Sequence, residues 1–320
     1  MLRRSLLALL AAPPLLSGAA RAETFPSRPI RIVSPFPPGG GTDLLSRAVG
    51  QRLAEAKGWT VVVENRAGAN GTIGLGEVAR AAPTGYDLVL AQQDNMILSP
   101  LLTKVPFDPA QDFSPVAFIG TTPLILLVAA NSPYRSMADL VAASKARKGE
   151  LSFGSSGAGS NSHIILEMLR RRAGLEMQHV PYRGSGPALA DLLGGHVAAI
   201  GTSIASAKGA LDAGTARALA VSGPARSPSL PQVPTLMEGG TQVNVTTWWA
   251  MLGPKGLPEP VVGQLNEAIN ALLAQPGLMK VMADSGVEPN AMTPAAFDAF
   301  LKRELATWKG IIAEIDLKLD

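Results

Sequence analysis

An α/β fold of two domains is what the sequence predicts, on three observations. Short β-branched apolar runs alternate with amphipathic helical segments along most of the 320 residues. Glycine-rich loops stand where those runs meet the helices. The chain is also longer than the ~100–200 residues of one domain, and 47% of it is hydrophobic, enough to bury two cores.

The elements follow in order. "IRIVSPF" (residues 30–36) reads as a strand, followed by the loop "PPGGGTD". Leu44, Leu45, Ala48, Val49, Leu53 and Ala56 then share one helical face, with Thr42 or Asp43 able to cap the start and Gly58 ending it. "TVVVEN" (60–65) completes a βαβ unit with a parallel pair. A weaker helix in "NGTIGLGEVARAAPTG", the strand "YDLVLAQ" and a longer apolar strand over 122–130 come next.

The second series opens with a helix over 137–148 and the strand "LSFGSS". A helix over 161–173, closed by Gly174, leads to the strand "MQHVPY". A short helix from Pro187 to the Gly194-Gly195 pair, the strand "HVAAIGTS", a helix to Ala213 and the strand "ARALAVSG" follow. After a Pro-rich stretch, "TTWWAMLGP" reads as a strand, with Trp248 and Trp249 alternating so that one faces inward and one outward. Three helices finish the chain, over 259–274, 277–285 and 294–318, the last with Thr293 as cap and Pro294 at its first position.

The N-terminus reads as a secretory signal over residues 1–22. Arg3 and Arg4 precede an apolar run over 6–16, and Ala20-Arg21-Ala22 supplies a cleavage site near Ala22. The arginine pair leaves the general secretory and twin-arginine routes both open. Removing the leader's three arginines from the 28 basic residues leaves as many as the 25 acidic ones. The mature chain is therefore neutral overall, without a basic arm for nucleic acid. No cysteine is present, which excludes disulfides, thiolate nucleophiles and iron–sulfur clusters. His163, His179 and His196 show no metal-ligand spacing, and no cofactor is implied.

Three βα loops share one chemistry: "PPGGGTD" (37–43), "GSSGAGS" (154–160) and "YRGSGP" (182–187). Ligands of open parallel sheets bind outside the carboxyl ends of strands, where such loops gather. A helix N-terminus offers free N–H groups and about half a positive charge, so it favours an anion. Phosphate fits poorly, because the Lys-Ser/Thr of a P-loop and a complete G-x-G-x-x-G are both missing. A carboxylate fits better. Charge-assisted hydrogen bonds of about 1.5–3 kcal/mol each can reach micromolar affinity without a buried cation.

Another reading is an exported serine-type hydrolase in which His163 activates Ser156 or Ser160. It lacks a G-x-S-x-G elbow and an acid to orient the histidine.

The order of motifs resembles the Bug family, the exported TctC-like solute-binding receptors of tripartite tricarboxylate transporters. The resemblance is carried by "FPSRPIRIVSPFPPGGGTDLLSRAVGQRL", "VVVENRAGANGTIG", "PTGYDLVLA", "VPFDPAQDFSPVAFIG", "LSFGSSGAGSNSHIILEML", "HVPYRGSGPALADLLGGHV", "RALAVSGPARSPSLPQVPTLMEGG" and "TTWWAMLGPKGLPEPVV". It implies a type II periplasmic binding protein with a ligand cleft between two α/β lobes, residues 23–124 with 247–320 and residues 125–246. The crossing strands would be "PLILLVAA" and "TTWWAML".

The resemblance further implies a monomeric, non-catalytic periplasmic receptor that presents a small carboxylate to a membrane permease or a sensor kinase. Carried over by position, the binding residues are Pro38, Gly39, Gly40 and Thr42 in the first loop. Ser155, Ser156, Gly159, Ser160 and His163 follow in the second, and Tyr182, Arg183 and Gly184 in the third. Asp43 is expected to cap its helix, since a carboxylate repels a carboxylate. Two departures bear on the ligand. Many members place a bulky aromatic and an acid where this chain has Gly201-Thr202-Ser203, so an amino group loses its anchor and Gly201 is expected to widen the cleft. Gln92-Gln93-Asp94-Asn95 is unusually rich in amides, and Gln93, Asp94, Thr202 and Ser203 join the expected site. Together they favour a non-amino carboxylate, larger or hydroxylated.

Overall fold

The computed structural model describes residues 25–317; the predicted signal segment lies outside them. The strands and helices alternate as β1 (Ile30–Ser34), α1 (Gly41–Lys57), β2 (Val61–Asn65), α2 (Thr72–Ala79) and β3 (Asp87–Gln92). A π-helical turn, Asp94–Leu98, runs into α3 (Ser99–Leu102), and then comes the long strand β4 (Phe113–Ala129). The next series is α4 (Met137–Ala146), β5 (Ser152–Ser155), α5 (Asn161–Ala173), β6 (Gln178–Pro181), α6 (Ser185–Leu193), β7 (Ala199–Ser203), α7 (Ile204–Asp212) and β8 (Ala216–Val221). The chain closes with β9 (Thr246–Pro254), α8 (Glu259–Leu273), α9 (Pro276–Asp284), β10 (Glu288–Pro289) and α10 (Pro294–Ile315). Among the described residues, no helix is long and apolar enough to cross a membrane.

Strand β4 organises the sheet. From Phe113 to Pro123 it pairs antiparallel with β9, which also pairs antiparallel with β3, and β3 continues into the parallel ladder of β1 and β2. From Leu124 to Ala129 it pairs with β7 along one register and with β8 along another, and β7 continues into parallel β5 and β6. The sequence predicts only its second half, over 122–130; the first half carries Pro115 and Gly120, residues that weaken a strand pattern. The structure absorbs both in register shifts, between Pro115 and Ala117 and between Phe118 and Gly120. A side chain at Gly120 would also meet the Glu288 carbonyl of β10 at 2.3 Å, so only glycine fits beside that short strand.

Helices cover both faces of the sheet. One apolar cluster runs without a break from Phe118, Trp248 and Phe297 to Phe153, Ile164 and Leu169, and so bridges the two halves of β4. On the other face there are two clusters: α1, α8 and α9 pack on one half, and α6 and α7 on the other. This double cover corrects the expectation for the tryptophan pair. Both are buried: Trp248 belongs to the shared cluster and Trp249 to the opposite face.

Gly201 is a second correction. A Cβ there would lie 2.9 Å from Cβ of Ser162 and 3.3 Å from Cζ of Phe153, so the missing side chain is replaced by α5 and the core. It does not widen a cleft. Gly201→Ala is expected to lower stability by about 1–3 kcal/mol through overpacking, read as a lower melting temperature. An unchanged melting temperature would mean that α5 yields freely at this contact.

Candidate functional site

A cavity of about 240 Å³ lies where the second-face core is interrupted, between α1 and β9 on one side and α6 and α7 on the other. The first residues of four helices reach it: Gly41 of α1, Asn161 of α5, Ser185 of α6, and Ala205 with Ser206 of α7. Each helix carries the partial positive charge of its unpaired N–H groups. Apart from the apolar patch of Leu45, Leu124, Trp249 and Val287, the walls are hydroxyl and amide groups from Gln92, Thr122, Ser156, Thr202, Ser203, Thr247 and Ser285. No Lys or Arg lines it, and the one ionisable side chain is Asp94. Two polar atoms of the lining residues are buried without a partner, Thr202 Oγ1 and Asn161 Oδ1. Such atoms are costly unless something else completes their hydrogen bonds.

The α1 side is held from behind. Gly40, not Thr42 or Asp43, is the N-cap residue of α1. Thr42 is buried, and its Oγ1 accepts hydrogen bonds from Gln92 Nε2 and from Trp249 Nε1. Asp43 accepts from the Gly39 N–H, Asn65 and Arg47. Burial opposes its charge, but Arg47, the Gly39 N–H and Asn65 outweigh it and hold the carboxyl below its ordinary value. Asp43 thus ties the loop back onto its helix, as expected, from the first turn instead of the cap position.

Asp94 is placed differently. It lines the cavity, accepts a hydrogen bond from Asn161 Nδ2, and has no cation beside it. Burial pushes its carboxyl up to about 6, against the lowering effect of Asn161. Asn161 Nδ2 also donates to Thr247 Oγ1 at 2.8 Å, so one amide joins α5, β9 and the end of β3.

The 155–160 loop is fixed by two stacked imidazoles. His163 and His179 lie with ring centroids 3.7 Å apart and 7° between planes. The Gly159 N–H donates to His163 Nδ1 at 3.0 Å, while His163 Nε2 faces Glu167 at 3.5 Å. Ser155 Oγ lies 2.6 Å from His179 Nε2 and also contacts the Gly157 carbonyl. Burial and the neighbouring His163 lower His179 to about 4. Ser160 Oγ caps α5 and donates to the Gly157 carbonyl. Neither ring nitrogen of His163 is hydrogen-bonded to Ser156 or Ser160; from His163, Ser160 Oγ accepts only the backbone N–H, and Ser156 Oγ instead contacts Ser162 Oγ at 3.2 Å.

The residues expected from sequence are therefore sorted by depth. Asp94, Ser156, Thr202 and Ser203 line the cavity. Gly159 and Ser160 line a neighbouring hollow of about 550 Å³ on the far side of the same loop, and Ser156 belongs to both. Thr42, Ser155 and His163 are buried behind the walls. Pro38, Gly39 and Gly40 form the exposed loop leading to Gly41. Tyr182 turns to Asp191 at 2.6 Å, and burial with that bond raises its hydroxyl to about 12. Arg183 is exposed, and Gly184 is the N-cap residue of α6. Gln93 points away from the cavity, with Nε2 donating to Glu304 at 3.2 Å.

Sequence reasoning missed Gln92, Gly41, Asn161, Ser185, Ser206 and Thr247. Strand parity is the signal for Gln92, which shares the face of Leu88 and Leu90 and so meets α1. Among the described residues there is no group of three or more side chains able to hold a metal ion.

The histidine stack predicts a pH dependence. His179 is lowered from 6.5 to about 4, so its contribution is complete above the ordinary value and is lost as pH falls through the folded one. Asp94, raised from 3.8 to about 6, acts in the opposite sense: its contribution is complete below 3.8 and is lost as pH rises through the folded value. Melting curves of wild type and His179→Gln should therefore converge on acidification, the wild type losing more. Parallel curves from neutral pH to about pH 4 would contradict a neutral buried His179.

Comparison with known proteins identifies the family. Residues 45–317 match the family described as tripartite tricarboxylate transporter family receptor. Protein BugT of Bordetella pertussis is 36% identical over 308 residues, which cover 95% of this chain and 94% of BugT. The structure of R. palustris Rpa4515 with adipate superposes with a TM-score of 0.83 at 32% identity, over 92% of this chain and 99% of that one. MatC from Rhodopseudomonas palustris with bound malate gives 0.76 at 30% identity, over 90% and 100%. The chain belongs to the tripartite tricarboxylate transporter receptor family, with the two-lobed α/β fold of type II periplasmic binding proteins.

Proposed function

We propose that this chain is an exported, monomeric receptor that captures a small carboxylate in the cavity and hands it to a membrane permease or a sensor kinase, without chemical change. The lobes would be residues 23–124 with 247–320 and residues 125–246, divided where β4 changes partners. The observation that carries the reading is the convergence of four helix N-termini on a polar cavity that has no cation in its walls. Each N-terminus favours a nearby anion by about 0.3–1 kcal/mol, up to about 2 where partly buried. With a few charge-assisted hydrogen bonds of about 1.5–3 kcal/mol each, the sum can exceed association costs and reach micromolar affinity. A volume of about 240 Å³ suits a small metabolite. The relatives solved with adipate and malate support a carboxylate.

The hydrolase reading finds less support. His163 spends Nδ1 on Gly159, and among the described residues the one serine hydroxyl hydrogen-bonded to an imidazole is Ser155, fully buried against His179. A chromogenic ester should not be turned over, and steady release of its chromophore would restore that reading.

A thermal-shift screen of mono-, di- and hydroxycarboxylates tests the main reading. A true ligand at about a hundred times its Kd should stabilise the fold by about 2.7 kcal/mol. Thr202→Val should raise the ligand-free melting temperature, since an unsatisfied buried hydroxyl costs about 1–3 kcal/mol, and should weaken carboxylate binding about tenfold. If the variant bound with undiminished affinity, this cavity would not be where the carboxylate sits.

A further inference from the structure

Resting on that reading of the cavity, we propose that a carboxylate enters this site together with one proton, which one oxygen of Asp94 takes from solvent and then donates as an O–H to the ligand. The O–H formed on Asp94 replaces a bond to hydrogen broken on a solvent or buffer acid, whose conjugate base stays in solution, and no other bond forms or breaks.

The geometry leaves few alternatives for the charge. Asp94 is the one ionisable side chain in the lining of a cavity of about 240 Å³, and its carboxylate receives a single side-chain bond, from Asn161 Nδ2. The titratable groups on the surrounding elements are engaged elsewhere. On α1, Asp43 pairs with Arg47; on α2 and β3, Glu77 and Asp87 both pair with Arg31; on α5, His163 holds Gly159 and faces Glu167; on α6, Asp191 accepts from Tyr182. On α7, Lys208 pairs with Asp212; on α9, Lys280 pairs with Asp284; on α10, Glu304 accepts from Gln93 and Trp248. None of these is hydrogen-bonded to Asp94.

Two carboxylates sharing so small a site do not both stay ionised; the proton affinity of one rises until it holds a proton. Asp94 is already close to that point, since burial, outweighing the Asn161 bond, lifts it to about 6. Once protonated, it changes from a repelling charge into a donor. Its other oxygen can keep the Asn161 bond that links α5 to β9 through Thr247.

The test is calorimetric titration of wild type with adipate and with malate, from about pH 6.5 to about pH 8.5, where both probes are dianions. Repeating each titration in buffers of different ionisation heat counts protons. The expected results are uptake of about one proton per bound probe at the alkaline end, and affinity falling about tenfold per pH unit above about pH 7. Asp94→Asn should take up no proton, bind with flat affinity, and exceed wild type at least about tenfold at about pH 8.5. Circular dichroism checks its fold, Asp94→Ser is the replacement if it fails, and the wild-type proton count stands without either.

Binding of the probes without proton uptake would overturn the proposal and leave the carboxylate reading standing. So would tighter, pH-independent binding of aspartate that Asp94→Asn abolishes, because Asp94 would then be the counter-ion of an ammonium group. If no carboxylate binds at any pH, the reading of the cavity itself fails, and the proton proposal with it.

Discussion

Between Pro123 and Leu124, β4 stops pairing with β9 and begins pairing with β7 and β8. The position of every functional group follows from this exchange. Parallel strands on either side of the junction send their carboxyl ends toward it, and the helices that follow those strands must begin there. Gly41, Asn161, Ser185 and Ala205 come from four distant stretches of sequence, yet each is at or next to the first position of its helix and faces the same space. No specific long-range pairing has to place them one by one. The sheet topology does so collectively.

Because the positive potential comes from backbone ends, it is fixed in direction and carries no long flexible side chain to order on binding. The supporting bonds are spent on keeping those ends aimed. Asp43 ties its loop to Gly39 and Asn65, Thr42 holds Gln92 and Trp249, and the His163–His179 stack secures Gly159 and Ser155. Among the residues lining the cavity, Thr202 Oγ1 and Asn161 Oδ1 are left unsatisfied.

Features governed by neighbouring residues were legible in the sequence. Helix α5 begins after Ser160 and ends at Gly174, because a serine cap and a left-handed glycine act within one turn. The last helix starts after Thr293 for the same reason. Features governed by distant packing were not legible. The first half of β4 carries Pro115 and Gly120, whose irregularities are accommodated only once β9 and β10 are present beside it. Gly201 reads as an empty place until Ser162 is seen to fill it, and one tryptophan reads as exposed until helices cover both faces. For the candidate site, the loops were found but the choice of side chain within them depended on where each strand ends. Gln92 closes β3 on the α1 face, whereas Gln93 already belongs to the turn beyond it and meets α10.

The shared apolar cluster has a mechanical consequence. It binds the two halves along one flank, reinforced at its edge by Arg172 of α5 paired with Glu314 of α10, while the opposite flank is split by the cavity. Shearing the halves past one another would tear that packing, whereas flexing along β4 and β9 leaves it in contact. One flank is thus closed by continuous packing, while the other opens onto the cavity.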